Sequence, residues 1–355
     1  MRQTPLLDEH KANGGKIVDF SGWALPVQYT GILSEHEHTR TKASIFDCSH
    51  MGEFSIKGQE AIAAYEPLIV SDVSAIKTGR ARYGFLLNDD GGIIDDLITM
   101  RLDEDELFVV TNAGPLDQVS ILFTKSVPGL KDISAETAKI DIQGPLSREI
   151  LAGIGVPIAK ELRYFGLSRA EWEGYPLIVS RTGYTGELGY ELFMPNEAAA
   201  PLWRAFLEVS DVAPAGLGAR DTLRLEMGYS LSGQDFDETR TPLEANQDMF
   251  VHWQKDFMGR AALEKQREEG GFSVLTPIRT KTRQAPRHGF EVYQEDESVG
   301  VVTSGTYGPS VGHGIGLAYL PPDVAQPGVT LTTGPRRLEI DVTELPFYKG
   351  GTCRN

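Results

Sequence analysis

Two stretches carry side chains whose types and spacing could do chemistry. The first, Asn88 to Arg101 ("NDDGGIIDDLITMR"), sets four aspartates beside a run of branched apolar residues. Asp89-Asp90-Gly91-Gly92 has turn composition, because aspartate tolerates left-handed φ and glycine adopts it freely. Asp95 and Asp96 stand inside the apolar run instead. Side chains alternate across a strand. Asp96 is therefore expected to share a face with Ile94, Ile98 and Met100, and Asp95 the other face with Ile93, Leu97 and Thr99. Divergent carboxylates exclude a centre of the aspartic-protease or glycosidase kind, where both groups converge on one reacting atom. Asp95 is then either an edge charge that blocks further strand pairing, or a buried anion that a ligand hydrogen-bonds.

The second stretch is Arg181 to Phe193 ("RTGYTGELGYELF"). Gly183, Gly186 and Gly189 recur every third residue around Tyr184, Glu187, Tyr190 and Glu191. Such spacing lets a backbone approach a flat object closely. A glutamate on a strand among aromatics suits a ligand with adjacent N–H donors, since one carboxylate accepts two parallel hydrogen bonds; a glycine-rich hairpin whose tyrosines simply pack is the alternative.

The elements that would position these groups follow from pattern. Tyr83–Leu87 and Ile93–Leu102 read as antiparallel strands joined at the Asp-Gly turn, with Leu107–Asn112 as a third. Ser34-Glu35-His36-Glu37 has capping-box form and should start a helix at Ser34. Met51–Lys57 reads as strand, and Gln59–Tyr65, Ala199–Val209 and Gly259–Glu269 as helices. Beyond Gly271 only short β-like runs remain (274–278, 289–293, 299–303, 329–332 and 338–342), which predicts a separate all-β module. Strands and helices before it lack regular βαβ alternation, so the fold class is α+β.

Composition narrows the function. A chain of 355 residues with net charge −16 is long enough for two or three domains and ill suited to a polyanion such as nucleic acid. No stretch is apolar over the length a bilayer requires, and the first residues, "MRQTPLLD", lack a signal-like apolar core, so the expected setting is cytoplasmic. Cys48 and Cys353 are expected as free thiols, the latter in a mobile polar tail. Gly216-Leu217-Gly218 lacks the third glycine of a dinucleotide loop, Asp221 standing there. His36, His38, Cys48 and His50 do not meet zinc spacing; the helix histidines are expected at the surface, and no metal site is expected.

Seven blocks, "KIVDFSGWALPVQY", "SIFDCSHMGEF", "NDDGGIIDDLI", "IQGP", "RTGYTGELGYELF", "GLGARDTLRLEMGYSLSGQDFDE" and "VTSGTYGP", stand in the order seen in the T protein of the glycine cleavage system. The chain resembles that family of tetrahydrofolate-dependent aminomethyltransferases from Thr4 to Tyr348. The resemblance implies a three-domain cloverleaf around a central folate channel, with residues 1–50 plus 134–232, 51–133 plus 233–270, and 271–355 as its domains, the last a β-barrel or jelly roll. It implies Asp95 as the catalytic carboxylate; Asp96, on the opposite face of the strand, is then expected to be structural. It implies Glu191 as the group that holds the pterin, Arg220 close by, and Tyr83, Asn112, Tyr184, Tyr229 and Met51 as the folate lining. Tetrahydrofolate is the implied cosubstrate and lipoylated H protein the implied partner. Candidate cations for the folate's glutamate tail are Arg287, Arg240 and Lys349. Met249 stands where the family often has tryptophan, with Trp253 as a possible substitute for that wall, and related folate-dependent demethylases share the framework. A non-catalytic folate protein of iron–sulfur maintenance would carry a cysteine near "LSGQDFDE", and none is there.

Overall fold

The computed structural model describes residues 1–158 and 162–354. Strands Arg80–Leu87 and Ile93–Asp103 pair antiparallel across the Asp-Gly turn, and Glu106–Thr111 adds the third strand of the meander. With Gly52–Lys57 and Lys131–Asp132 they form a five-stranded sheet. Alternation sorts its faces: Phe54, Ile56, Leu97, Leu107 and Val109 pack under helices Gln59–Tyr65 and Leu116–Ser126.

A six-stranded sheet runs in the order Leu167–Trp172, Tyr175–Ser180, Gly189–Pro195, Thr137–Gln143, Ala43–Asp47 and Val212–Pro214. Only the last pairing is parallel, in keeping with the absence of βαβ alternation. Along Thr137–Gln143 the pleat sends Ala138, Ile140 and Ile142 into a core with Trp203 and Phe206 of helix Asn196–Leu207. Lys139, Asp141 and Gln143 take the other face, and they are buried too.

Past Gly271 six strands close a barrel in the order Val274–Arg279, His313–Leu320, Glu297–Gly308, Glu291–Gln294, Thr330–Thr333 and Leu338–Val342. Sequence pattern misses His313–Leu320, because Gly314 and Gly316 depress its strand propensity. A close approach requires them: a Cβ on Gly314 would lie 2.3 Å from the Gln284 carbonyl oxygen, and one on Gly316 2.6 Å from that of Ser304.

Three expectations need correction. The helix expected from Ser34 spans Ile32–Thr41 and is capped from within: Glu35 Oε1 accepts the N–H groups of Tyr29, Thr30 and Gly31 at 2.6, 2.9 and 3.0 Å. That anion does at the helix N-terminus what a serine hydroxyl usually does. His36 is not at the surface. It is buried, with Nδ1 2.8 Å from Thr222 Oγ1 and Nε2 2.9 Å from Ser310 Oγ, and so fastens its helix to helix Leu217–Glu226 and to the barrel. The tail around Cys353 is docked, the Cys353 N–H donating to Gly186 O at 3.1 Å and its carbonyl accepting from Arg181 at 3.2 Å. Among the described residues no His, Cys, Asp and Glu cluster is arranged to hold a metal, and no helix is long and apolar enough to cross a membrane.

Candidate functional site

A cavity of about 930 Å³ opens where the two sheets, helix Leu217–Glu226 and the barrel meet. Its deepest polar group comes from the buried face of the six-stranded sheet. Lys139 Nζ sits 2.7 Å from Asp141 Oδ1 and 3.3 Å from Glu191 Oε1, while Arg220 reaches Asp141 Oδ2 at 3.1 Å. Thr182 Oγ1 donates to Glu191 Oε2 at 2.9 Å. Burial works against the charge on Lys139, but the Asp141 and Glu191 carboxylates outweigh it and keep the ammonium protonated. Burial also raises Glu191, with Lys139 opposing the shift. Two cations and two carboxylates thus share a nearly dry floor. Of these, Glu191, Lys139 and Arg220 line the cavity. Sequence reasoning missed Lys139 and Asp141. Their signal was the alternation of "KIDIQ", a strand polar on one face with no surface to show it to.

The aspartate pair departs from expectation in which face matters. From Asp95 onward strand alternation is kept, but a bulge opposite Leu86 and Leu87 turns Ile93 and Ile94 away from the faces expected of them, Ile94 packing with Leu97 and Ile93 with Phe85; the cavity is lined here by Ile94, Asp96, Leu97 and Ile98. Asp96 therefore lines it, and Asp95 is completely buried behind the wall. Nor are the two carboxylates independent, because Asn112, just past the end of Glu106–Thr111, reaches both. Its Nδ2 donates to Asp95 Oδ1 at 2.8 Å and to Asp96 Oδ1 at 2.7 Å, and its backbone N–H donates to Asp95 Oδ2 at 2.8 Å. Ser232 Oγ adds a fourth donor, 3.2 Å from Asp95 Oδ1. Burial, then the neighbouring Asp96, pushes Asp95 well above the ordinary carboxylate range, against the pull of Asn112 and Ser232. Burial pushes Asp96 up to about 6, with hydrogen bonds from Tyr83 and Asn112 restraining it. Two acids tied together in this way take up and release protons as a pair.

Aromatic rings form the remaining walls. Tyr184 and Tyr229 stack at 5.8 Å and 21°, and the Arg220 guanidinium lies 5.0 Å from the Tyr184 ring. The Tyr184 hydroxyl is held by the Ser230 carbonyl. Tyr83 meets Phe250 edge-on at 4.8 Å, and its hydroxyl is 3.4 Å from Gln247 Oε1. Glu191, Arg220, Tyr83, Asn112, Tyr184, Tyr229 and Met51 all line this one space.

Other expectations fail here. The glycines of "TGYTGELG" make room for this chain's own side chains: a Cβ on Gly183 or Gly189 would lie 2.1 or 2.2 Å from Gln143 Oε1, and one on Gly186 2.3 Å from Met227 Sδ. Met249 is 80% exposed and off the wall, as is Trp253, which packs with Phe257 and under Arg267. Phe250 and Gln247 form that side instead. Arg287, Arg240 and Lys349 do not line the cavity, Arg240 being engaged by Glu244 at 2.8 Å and the Tyr319 ring.

Comparison with known proteins agrees along the whole chain. Residues 6–255 match the family model of the GCVT N-terminal domain, and residues 274–349 that of the glycine cleavage T-protein C-terminal barrel domain. The aminomethyltransferase of Rubrobacter xylanophilus is 42% identical over 98% of this chain and 95% of its own length. That of Halothermothrix orenii is 38% identical over 98% and 100%. The crystal structure of glycine cleavage system aminomethyltransferase T from Bartonella henselae superposes with a TM-score of 0.93 at 32% identity, covering 99% of each chain.

Proposed function

Because the chain belongs to the glycine cleavage T-protein family of aminomethyltransferases, we propose that it moves the carbon of an aminomethyl group, carried on the dihydrolipoyl arm of H protein, to tetrahydrofolate. The observation that carries this reading is Glu191, a buried carboxylate at the floor of an aromatic-walled cavity that Asp96 also lines, with Asp95 linked to it through Asn112 behind the wall.

A pterin offers its 2-amino group and N3–H as adjacent donors. Among the described residues Glu191 is engaged only by Thr182 and by one ion-pair contact to Lys139, and a carboxylate has about four lone-pair sites. It therefore retains the capacity to accept both donors. Lys139 and Arg220 offset the cost of keeping that anion out of water, and the Tyr184–Tyr229 stack and Met51 supply flat apolar surface for a ring.

In the reaction, N5 and N10 of the folate each lose a proton and gain a bond to the methylene carbon. The carbon's bonds to nitrogen and sulfur break, and the two protons leave on ammonia and the thiol. Asp96, at the wall, is the group placed to take a proton from a folate nitrogen and return it to the departing amine. Asp95 acts with it through Asn112: its protonation state determines how readily Asp96 gives up its own proton. The expectation that Asp95 alone carries the chemistry becomes a proposal about the pair.

Incubation with aminomethylated H protein and tetrahydrofolate should release ammonia and 5,10-methylenetetrahydrofolate in equal amounts. Binding of tetrahydrofolate without turnover on any lipoylated carrier would contradict the reading and favour a small methylated donor.

A further inference from the structure

Among the described residues four cations line the cavity: Lys139, Arg220, Arg224 and Arg354. Three are already paired with carboxylates. Lys139 and Arg220 share Asp141, and Arg224 lies 2.8 Å from both Asp221 and Asp235. Arg354 makes no hydrogen bond or ion pair with a described residue, and its side chain is exposed where the other three are mostly buried. It stands at the rim beside Tyr164 and Tyr229, whose hydroxyls feel its charge.

The backbone that presents Arg354 is anchored. Thr352 Oγ1 donates to Glu187 Oε2 at 2.5 Å and accepts the Leu188 N–H at 2.8 Å. Cys353 is bonded on both its N–H and its carbonyl, to Gly186 and Arg181. Gly351 lies so close to Gly186 that a Cβ would be 2.5 Å from the Gly186 carbonyl oxygen, so the tail is pressed onto the glycine loop preceding Glu191. Between the two ends runs an aromatic ladder: Arg220 over Tyr184 at the floor, Tyr184 stacked on Tyr229, and Tyr229 next to Arg354 at the rim. A ligand with a flat head on Glu191 and a negatively charged far end would meet an unpaired cation there.

We propose that Arg354 is the specificity-determining residue for the anionic tail of the ligand, engaging the carboxylates of a glutamate appended to the pterin. The assignment rests on the folate reading above. A guanidinium presents a planar fork of donors that matches a carboxylate. Because the site is at the rim, the contact is screened by water and salt, and removing it should weaken binding by roughly 3–20-fold.

Calorimetry on the full chain tests this with two ligands, tetrahydrofolate and 6-methyltetrahydropterin, the latter keeping the reduced pterin and lacking the glutamate. Arg354→Ala should weaken tetrahydrofolate and leave 6-methyltetrahydropterin unchanged. Arg354→Glu should weaken tetrahydrofolate further, and Arg354→Lys should lie between Ala and wild type. Equal loss for both ligands would show a distorted cavity and overturn the proposal, as would unchanged tetrahydrofolate affinity in Arg354→Glu. If the unaltered protein binds neither ligand, the folate reading itself fails and takes this inference with it.

Discussion

At the scale of single residues, the site depends on carboxylates kept out of water. Replacing either member of the Asp95–Asp96 pair by Asn keeps its shape and removes a group that can take up or release a proton. Turnover should fall by something on the order of 10²–10⁴ in both variants, with tetrahydrofolate binding largely retained. Rates per folded molecule check this; near-wild-type turnover in Asp95→Asn would leave Asp96 to act alone. Since burial raises Asp96 to about 6, turnover should climb with pH through that value as the base form appears. Asp96→Asn should lose that limb. Glu53 gives a stability test of the same physics. It is buried, both its oxygens lack partners, and burial raises it well above its ordinary 4.5. An acid raised on folding contributes stability that is full below its unfolded value and is lost as pH rises towards the folded one, at about 1.4 kcal/mol per pH unit between them. Glu53→Gln should therefore gain on wild type as pH rises above the unfolded value of 4.5, measured by melting temperature; a difference independent of pH would refute the assignment.

At the scale of elements, strand alternation and tight glycines decide what reaches the cavity. Gly189 opens the strand that carries Glu191, and its absent Cβ is filled by Gln143, which accepts from Thr185 at 2.9 Å and donates to the Thr182 carbonyl at 3.3 Å. Gly189→Ala should cost about 1–3 kcal/mol by overpacking, and Gln143→Ser in the same chain should recover part of it. Urea unfolding of the two single variants and the double variant gives the coupling, and strict additivity would count against the contact. The hairpin around Asp89–Gly92 was legible because turn chemistry and β-branched runs agree locally. Helix Gln59–Tyr65 was legible for its pattern and its proline stop. What alternation alone leaves open is which face of a strand meets the cavity, since both faces of Ile93–Asp103 carry apolar residues beside an aspartate; that choice needs the neighbouring sheet. The same holds for Lys139 and Asp141, whose partners lie on other strands and on helix Leu217–Glu226. Arg220, Tyr83, Asn112, Tyr229 and Met51 were reachable only through family resemblance, because a lone side chain of these kinds has no local signature of a wall.

At the scale of the whole molecule, the cavity exists only while the barrel and the two sheets stay locked together. Asp235 is a principal tie: buried, it accepts from Arg224 at 2.8 Å, from the Leu231 N–H at 2.8 Å and from Thr303 of the barrel at 2.6 Å. Asp235→Ala would strand a buried guanidinium, a change that typically costs about 3–5 kcal/mol. Calorimetry should then show the single melting transition broaden or split as the barrel parts from the rest; an unaltered transition would mean the tie is redundant. The central claim is that this shared cavity holds a reduced pterin through one floor carboxylate. Titration calorimetry of tetrahydrofolate into wild type and Glu191→Ala tests it most directly. A hydrogen bond to a charged group is worth about 1.5–3 kcal/mol, so the variant should bind roughly 10–150-fold more weakly while its melting temperature stays close to wild type, Lys139 keeping Asp141 as a partner. Unchanged affinity in Glu191→Ala would contradict the account.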